Sequence, residues 1–342
     1  HPRRWEVAVF RCPVDDTKPY VKRVVGLPGE SVRIQDGDVY ADGELLRKSL
    51  AQVRETRVPF FDMAFPPTPG GWGHRWLVEP VGAAPAAEAL RPLRPRPADA
   101  TVLRDDALVL DAGSPTAAVG LTYRHQPVGR AGDDPDPVRD WLPYNGAPPE
   151  ARRTRPADAV SPPVHDFIAE FDLEVTAGAG VFAVRLGDGG DYVTADIPIG
   201  DVGECTVTAH EESPVGPATP PPTVRAAGVR LTPGRTVRVE FAFVDRRATL
   251  ALDGRAALPP LDLPAKARRG GVRRPVQLGV RGAAVAVRGL KLYHDIHYRS
   301  DGRNGVAGPC RLGPDEYFML GDNSADSHDS REWDPPGVPE RD

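Results

Sequence analysis

Apolar and polar residues alternate along several short stretches of this chain, and the alternation predicts strands. Residues 5–10, Trp5-Glu6-Val7-Ala8-Val9-Phe10, read as one, and Lys18 to Val25 as a second. Ser31-Val32-Arg33-Ile34-Gln35 is a third, closed by Asp36-Gly37-Asp38, and Val39-Tyr40-Ala41 a fourth, closed by Asp42-Gly43, a hairpin signal. Between them, Gly26-Leu27-Pro28-Gly29 reads as a tight reversal, because proline fixes φ and glycine permits positive φ. Such a small β piece cannot bury a core by itself and needs residues 299–342 to complete it.

A longer β region covers residues 165–298. Phe167, Ala169, Phe171, Leu173 and Val175 fall on one face of a strand, with Asp166, Glu170, Asp172 and Glu174 on the other. Val237, Val239, Phe241 and Phe243 repeat the pattern before a turn at Asp245-Arg246-Arg247, and Thr249–Leu252 leads into Asp253-Gly254. Strands at this spacing predict a β-sandwich with Phe167, Phe171, Val239, Phe241 and Leu250 in its core. Residues 51–164 show no such order. Pro66–Gly71 and Arg94–Pro97 favour extended or loop backbone, and Trp72, Trp76, Trp141 and Tyr144 are scattered among them. The stretch reads as a Pro-rich irregular lobe. The expected division is therefore 1–50 with 299–342, then 51–164, then 165–298, in a mainly β protein.

Composition narrows the function. The 342 residues carry a net charge of −5, which argues against a nucleic-acid partner. Cys12, Cys205 and Cys310 have no metal-ligand spacing, and no metal or cofactor is expected. No apolar run reaches the ~18 residues that cross a bilayer. Lysine occurs only at Lys18, Lys22, Lys48, Lys266 and Lys291, against a large excess of arginine. Lys22 lies on the second predicted strand, beside Val21, Val24 and Val25. A lysine there can lose its proton when desolvated, which arginine cannot.

Two boxes carry a resemblance. Tyr20-Val21-Lys22-Arg23-Val24-Val25-Gly26-Leu27-Pro28-Gly29-Glu30 resembles the lysine box of the type I signal peptidases, membrane serine endopeptidases that remove signal peptides. Tyr317-Phe318-Met319-Leu320-Gly321-Asp322-Asn323-Ser324-Ala325-Asp326-Ser327-His328-Asp329-Ser330-Arg331 resembles that family's second box. Arg4–Phe10 is similar to the strand before the lysine box. Between the boxes the resemblance implies an antiparallel β core, interrupted here by a large insert. The order of strands in 165–298 is similar to concanavalin A-like and laminin-G-like jelly rolls.

The resemblance implies a Ser/Lys hydrolase in which Lys22 is the general base and Ser327 orients it. Gly321, Asp322, Asn323, Asp329 and Arg331 would brace the box, and Tyr20 and Val21 would line the substrate strand. It implies signal peptides of exported preproteins as substrates. It also implies a parent protein held in the cytoplasmic membrane by N-terminal segments, with this domain on the extracytoplasmic side. Two departures stand out. Ser324 replaces the family's arginine. The family's nucleophile box, Ser-Met-x-Pro, is missing: no serine precedes Ser31, and Met63 and Met319 lie elsewhere. The expectation is that the nucleophile lies upstream of His1 and that this stretch alone is inactive. Val338-Pro339-Glu340 similarly leads towards a family strand that is not in the sequence. The other reading is a cell-surface module whose sandwich binds glycan or protein beside a vestigial peptidase core.

Other constellations carry less. His294 and His297 are three apart and face opposite sides of a strand, so they do not share a metal. Asp188-Gly189-Gly190-Asp191 reads as a turn before it reads as a calcium loop. His328-Asp329-Ser330 holds triad residue types, but neighbours cannot form a triad. Glu170-Phe171-Asp172-Leu173-Glu174 resembles the ExDxE signature of jelly-roll glucanases, but the expected reading is the solvated face of a sandwich strand.

Overall fold

The computed structural model describes residues 1–11, 19–66, 75–80, 96–97, 103–104, 107–126, 135–140, 161–211, 220–267 and 270–333. The turn expected after Arg11, Cys12, Trp72, Trp141, Tyr144 and the Val338–Glu340 segment lie outside the described residues, as do most of Pro66–Gly71 and the first half of Arg94–Pro97. The fold is mainly β and its sheets are antiparallel. Two compact units form: His1–Thr56 with Ile296–Asp342, and Arg57–Asp295.

In the first unit, β1 (Val7–Arg11) pairs with β2 (Pro19–Gly26), which pairs with the strand Phe318–Leu320. β3 (Ser31–Gln35), β4 (Asp38–Ala41) and β5 (Glu44–Leu45) form a second sheet with Cys310–Arg311. Both Asp-Gly hairpins are two-residue loops with positive φ at each centre: 54° and 92° at Asp36 and Gly37, 51° and 86° at Asp42 and Gly43. This is the type I′ geometry that suits strand twist. A short helix, α1 (Leu50–Thr56), follows. Ser49 and Gln52 cap it reciprocally, the Ser49 N–H donating to Gln52 Oε1 at 2.8 Å.

The second unit runs β6 (Val58–Asp62), β7 (Trp76–Pro80), β8 (Arg96–Pro97), β9 (Leu103–Arg104), β10 (Ala107–Asp111), β11 (Ala118–Tyr123), β12 (Phe167–Gly187), β13 (Asp191–Ile199), β14 (Cys205–Glu211), β15 (Thr223–Ala226), β16 (Thr236–Val244), β17 (Arg247–Leu252), β18 (Arg255–Ala256), β19 (Leu261–Asp262) and β20 (Val276–His294). The long strands β12 and β20 pair along nearly their whole length. β12 pairs on its other side first with β16 and then with β13. Phe167, Phe171, Val239, Phe241 and Leu250 are at most 1% exposed.

The separate lobe expected for 51–164 is not separate. β6, β10 and β11 each pair with β20, and Phe61, Trp76, Leu108, Leu121 and Tyr123 join the same core as Phe171 and Phe241. The reason is backbone pairing. β20 is long enough to offer hydrogen bonds to three strands from the early segment, a long-range pairing that local patterns do not announce. The early boundary also moves: residues 50–56 form α1 and belong to the first unit, which resumes at Ile296.

Buried charge pins the second unit. Arg246 is 4% exposed, adopts a φ of 61°, and donates to Asp188 Oδ2 and Asp191 Oδ2 at 2.6 Å each. Asp188–Asp191 is thus a turn whose carboxylates are engaged by Arg246 and by Lys266. Glu170, 5% exposed, lies between Arg57 and Arg238, and Arg238 also reaches Asp172 at 3.1 Å. Burial alone would raise the Glu170 carboxyl, but the two arginines hold it below the ordinary range. Arg288 takes Glu174. A glycosidase needs one of its carboxyls protonated, and Glu170 is held as an anion.

Two outcomes are expected. Residues 57–295 expressed alone should melt cooperatively, whereas 165–298, deprived of β6, β7, β10 and β11, should melt broadly; thermal unfolding followed by circular dichroism distinguishes them. Acid should also weaken this unit. Burial pushes His125 down to about 3 and His294 down to about 4. Unfolded, both titrate near ~6.5. Between about pH 6.5 and 3 the unfolded chain binds protons that the folded one refuses, so stability is full above that window and falls as pH drops through it. Urea melts of His125→Gln should show a flatter loss across that window than the unaltered protein.

Candidate functional site

The sequence carries Lys22 to the site on β2. Ala8 of β1 lies opposite Lys22, and β2 pairs with Phe318–Leu320 only from Arg23 onwards, at Arg23–Leu320 and Val24–Met319. The partner strand therefore ends at Leu320, and Gly321-Asp322-Asn323 turns away beside Lys22. A single 3-10 turn, Ser324–Asp326, follows and returns the chain at Ser327. The outcome is a direct contact: Lys22 Nζ donates to Ser327 Oγ at 2.7 Å.

Gly321 is required for that contact. A Cβ on Gly321 would lie 2.0 Å from Ser327 Oγ and 3.3 Å from Lys22 Nζ. Its N–H donates to Asp329 Oδ2 at 3.0 Å. Asp329 is fully buried and forms a two-pronged pair with Arg331, Nε to Oδ1 and Nη2 to Oδ2, both at 2.9 Å. Arg331 Nη1 extends to the Arg299 carbonyl at 3.0 Å and Asp301 Oδ1 at 2.9 Å. Burial would raise the Asp329 carboxyl, but Arg331, the Gly321 N–H and the Ser327 hydroxyl hold it low. Ser327 thus accepts from Lys22 and helps to favour the Asp329 anion.

Burial pushes the Lys22 ammonium below its ordinary pKa; the anions Asp329 and Glu332 oppose this and Arg331 adds to it. Asp322 accepts from Arg23 through both oxygens, at 2.9 and 2.7 Å. Asn323 lines the pocket and its carbonyl accepts from the Asp326 N–H at 3.2 Å. Tyr20 lies under Lys22, with Nζ 5.4 Å from the ring centroid, and stacks on Trp333. Val21 is 59% exposed and faces Val9, itself 70% exposed. A pocket of about 280 Å³ opens over Lys22, Ser327, Gly321 and Asn323, with Val7 and Val21 on its rim.

All nine residues singled out in the two boxes thus lie in one unit and around one pocket or its immediate supports. Several supports went unread in the sequence. Arg23, 3% exposed, donates to Asp322 and, at 2.7 Å, to the Trp5 carbonyl. Trp5 holds a φ of 72°, unusual for a bulky residue, with Lys48 over its ring at 4.3 Å. Ser330 Oγ accepts the Met319 N–H at 2.8 Å. Ser324, where the resemblance has arginine, receives Arg331 Nη1 at 3.1 Å and the Arg299 N–H at 2.8 Å. The only sequence signal for Arg23 was its place beside Lys22 in the first box.

Residues 1–79 match the family described as "Signal peptidase, peptidase S26". Over 50 residues the chain is 46% identical to signal peptidase I of Pseudomonas aeruginosa, 14% of this chain and 18% of that protein. Over 51 residues it is 41% identical to probable signal peptidase I-2 of Synechocystis sp., 13% of this chain and 23% of that protein. The chain spans less than a quarter of the length of these curated relatives. The family match includes the Lys22 box and ends far before Tyr317. Among solved structures, a carbohydrate-binding module, CBM66, of Bacillus subtilis is similar at 12% identity and a TM-score of 0.28, over 37% of this chain and 73% of that one. Caenorhabditis elegans galectin LEC-6 is similar at 12% identity and a TM-score of 0.26, over 38% and 82%.

The geometry makes a definite demand on position 321. Gly321→Ala should drive Ser327 off Lys22, visible in a crystal structure as loss of the 2.7 Å contact. Arg331→Ala should cost about 3–5 kcal/mol, because it leaves a buried Asp329 uncompensated; chemical denaturation measures it.

Proposed function

We propose that the first unit is the Lys-bearing half of a signal peptidase I-like Ser/Lys endopeptidase. One observation carries this reading: a half-buried lysine whose amine touches a hydroxyl at 2.7 Å within a family-matched segment. A neutral lysine accepts the proton of the attacking serine and returns it to the leaving amine. Free lysine is neutral in well under one molecule in a thousand at pH 7, given a pKa of ~10.4. Desolvation raises that fraction. Ser327 aims the lone pair, and Asp329 fixes Ser327.

The substrate in this reading is the signal peptide of an exported preprotein. It lies as an added strand on the edge of β2 that Phe318–Leu320 leaves unpaired before Arg23, with small side chains near the pocket and the backbone against Tyr20 and Val21. The attacking serine comes from a Ser-Met-x-Pro segment joined ahead of β1. Among the described residues, the hydroxyl bonded to Lys22 is that of Ser327, which Asp329 already engages. The 342 residues by themselves are then inactive, and the whole protein works at the outer face of the cytoplasmic membrane.

Peptide cleavage in detergent, measured on a longer protein carrying that segment, tests the reading. Lys22→Ala should lower kcat on the order of 10⁶-fold, the scale for losing one member of a nucleophile–base pair. Lys22→Arg should be nearly as damaging, because arginine keeps its proton. Ser327→Ala should be milder. Activity should rise with pH as Lys22 loses its proton, with a midpoint below ~10.4. Turnover by Lys22→Ala overturns the proposal; abolition by Ser327→Ala, with full activity in the 342 residues, would make Ser327 the nucleophile instead.

A further inference from the structure

The second unit has a polar face that the reading above does not use. In an antiparallel sheet, residues opposite one another share a face, as does every second residue along a strand. One row crosses β20, β12 and β13 as Gly279, Ala183 and Asp196. The row on one side is Gln277 and Arg185, continuing to Thr194; the row on the other begins with Arg281, opposite Val181. The alternate residues, Phe182, Val184, Ala195 and Leu278, are in the core, so these rows face away from it. The central row is a step floored by a hydrogen and a methyl group and closed by a carboxylate. With strands about 4.8 Å apart and flanking rows about 7 Å to either side, the step has the footprint of one sugar ring.

Its polar groups are set in advance. The Arg185 guanidinium lies 4.2 Å over the Tyr192 ring, and its Nε donates to Thr194 Oγ1 at 3.4 Å. Tyr192 stacks in turn on His210, with centroids 4.9 Å apart. Asp196 is partly buried, and burial raises its carboxyl while Arg281 and Arg185 favour its charge from a distance. Among the described residues, nothing donates a hydrogen bond to that carboxylate. Water reaches that carboxylate in the free protein, and a ligand that displaces the water has to donate to it instead.

We propose that this face binds a neutral oligosaccharide, with one ring over Gly279 and Ala183. Adjacent hydroxyls donate to Asp196 and accept from Arg281, Arg185 and Gln277. A hydroxyl both gives and takes a hydrogen bond, which matches a carboxylate set among guanidinium and amide donors. A free anion is opposed by Asp196 and a cation by the two arginines. An apolar ligand would bury all of them unpaired.

The test is an array of neutral plant, fungal, bacterial and animal glycans probed with the full chain, followed by calorimetric titration of the best ligand. Saturable binding should appear, and Asp196→Asn and Arg281→Ala should each weaken it at least about tenfold, a 1.4 kcal/mol change. Glu174→Gln, on the arginine-clamped carboxylate strip, should leave it unchanged. Gly279→Val should abolish it by filling the floor. Circular dichroism melts check that each variant is folded, and Arg281→Ala decides alone if Asp196→Asn is not. No binding anywhere on the array, or binding indifferent to Asp196→Asn and Arg281→Ala, overturns the proposal. Cleavage by the Lys22 site is scored separately, so either reading can fall without the other.

Discussion

A buried ion pair between residues two apart, Asp329 and Arg331, sets the position of everything around Lys22. Charge cannot sit at 0% and 2% exposure without full pairing. Asp329 therefore recruits Arg331 and the Gly321 N–H, and Arg331 recruits Ser324, Arg299 and Asp301. Because the start of the loop, at Gly321, is tied back to the Asp329 carboxylate that follows it, Ser327 between them is brought against Lys22. The lysine is then partly desolvated beside a wall that satisfies its own charges, which is how a cation can be disfavoured without leaving its neighbours unpaired.

The same economy explains why so many small residues recur at the site. Gly321 leaves room for Ser327, and Gly26 for Val32 and Phe318; a Cβ at Gly26 would lie 2.4 Å from Val32. Neither position asks for unusual backbone freedom. Both ask for absent volume, and a chain this densely packed allows no larger side chain there.

Legibility in the sequence followed the range of the interaction. The Asp-Gly hairpins were readable because two adjacent residues decide them. Lys22 and Ser327 were readable because each sits in a dense local pattern, although 305 positions separate them. The helix Leu50–Thr56 was readable in principle from Ser49-Leu50-Ala51-Gln52, yet its seven residues offered too little periodicity. What stayed hidden were partnerships settled at a distance. Trp76, Leu108 and Leu121 looked like stray apolar residues in a Pro-rich stretch because their partners lie on β20 and its neighbours. The arginines that neutralise Glu170 and Asp188 were equally invisible, since Arg57, Arg238 and Arg246 come from distant points of the chain.

The nesting of one unit inside the other has a consequence for synthesis. A ribosome emits Lys22 early and Ser327 only after the whole of Arg57–Asp295 has emerged. β6 cannot pair until His294 and Tyr293 exist, because those residues close its register. Domains tend to fold as units while the chain grows. The inner unit can therefore be complete while the outer one still waits for its last strand, and the Lys22–Ser327 contact is among the last to form. The Lys22 amine and the Ser327 hydroxyl are thus kept apart for most of synthesis, and the pocket they line is incomplete until the second box has emerged.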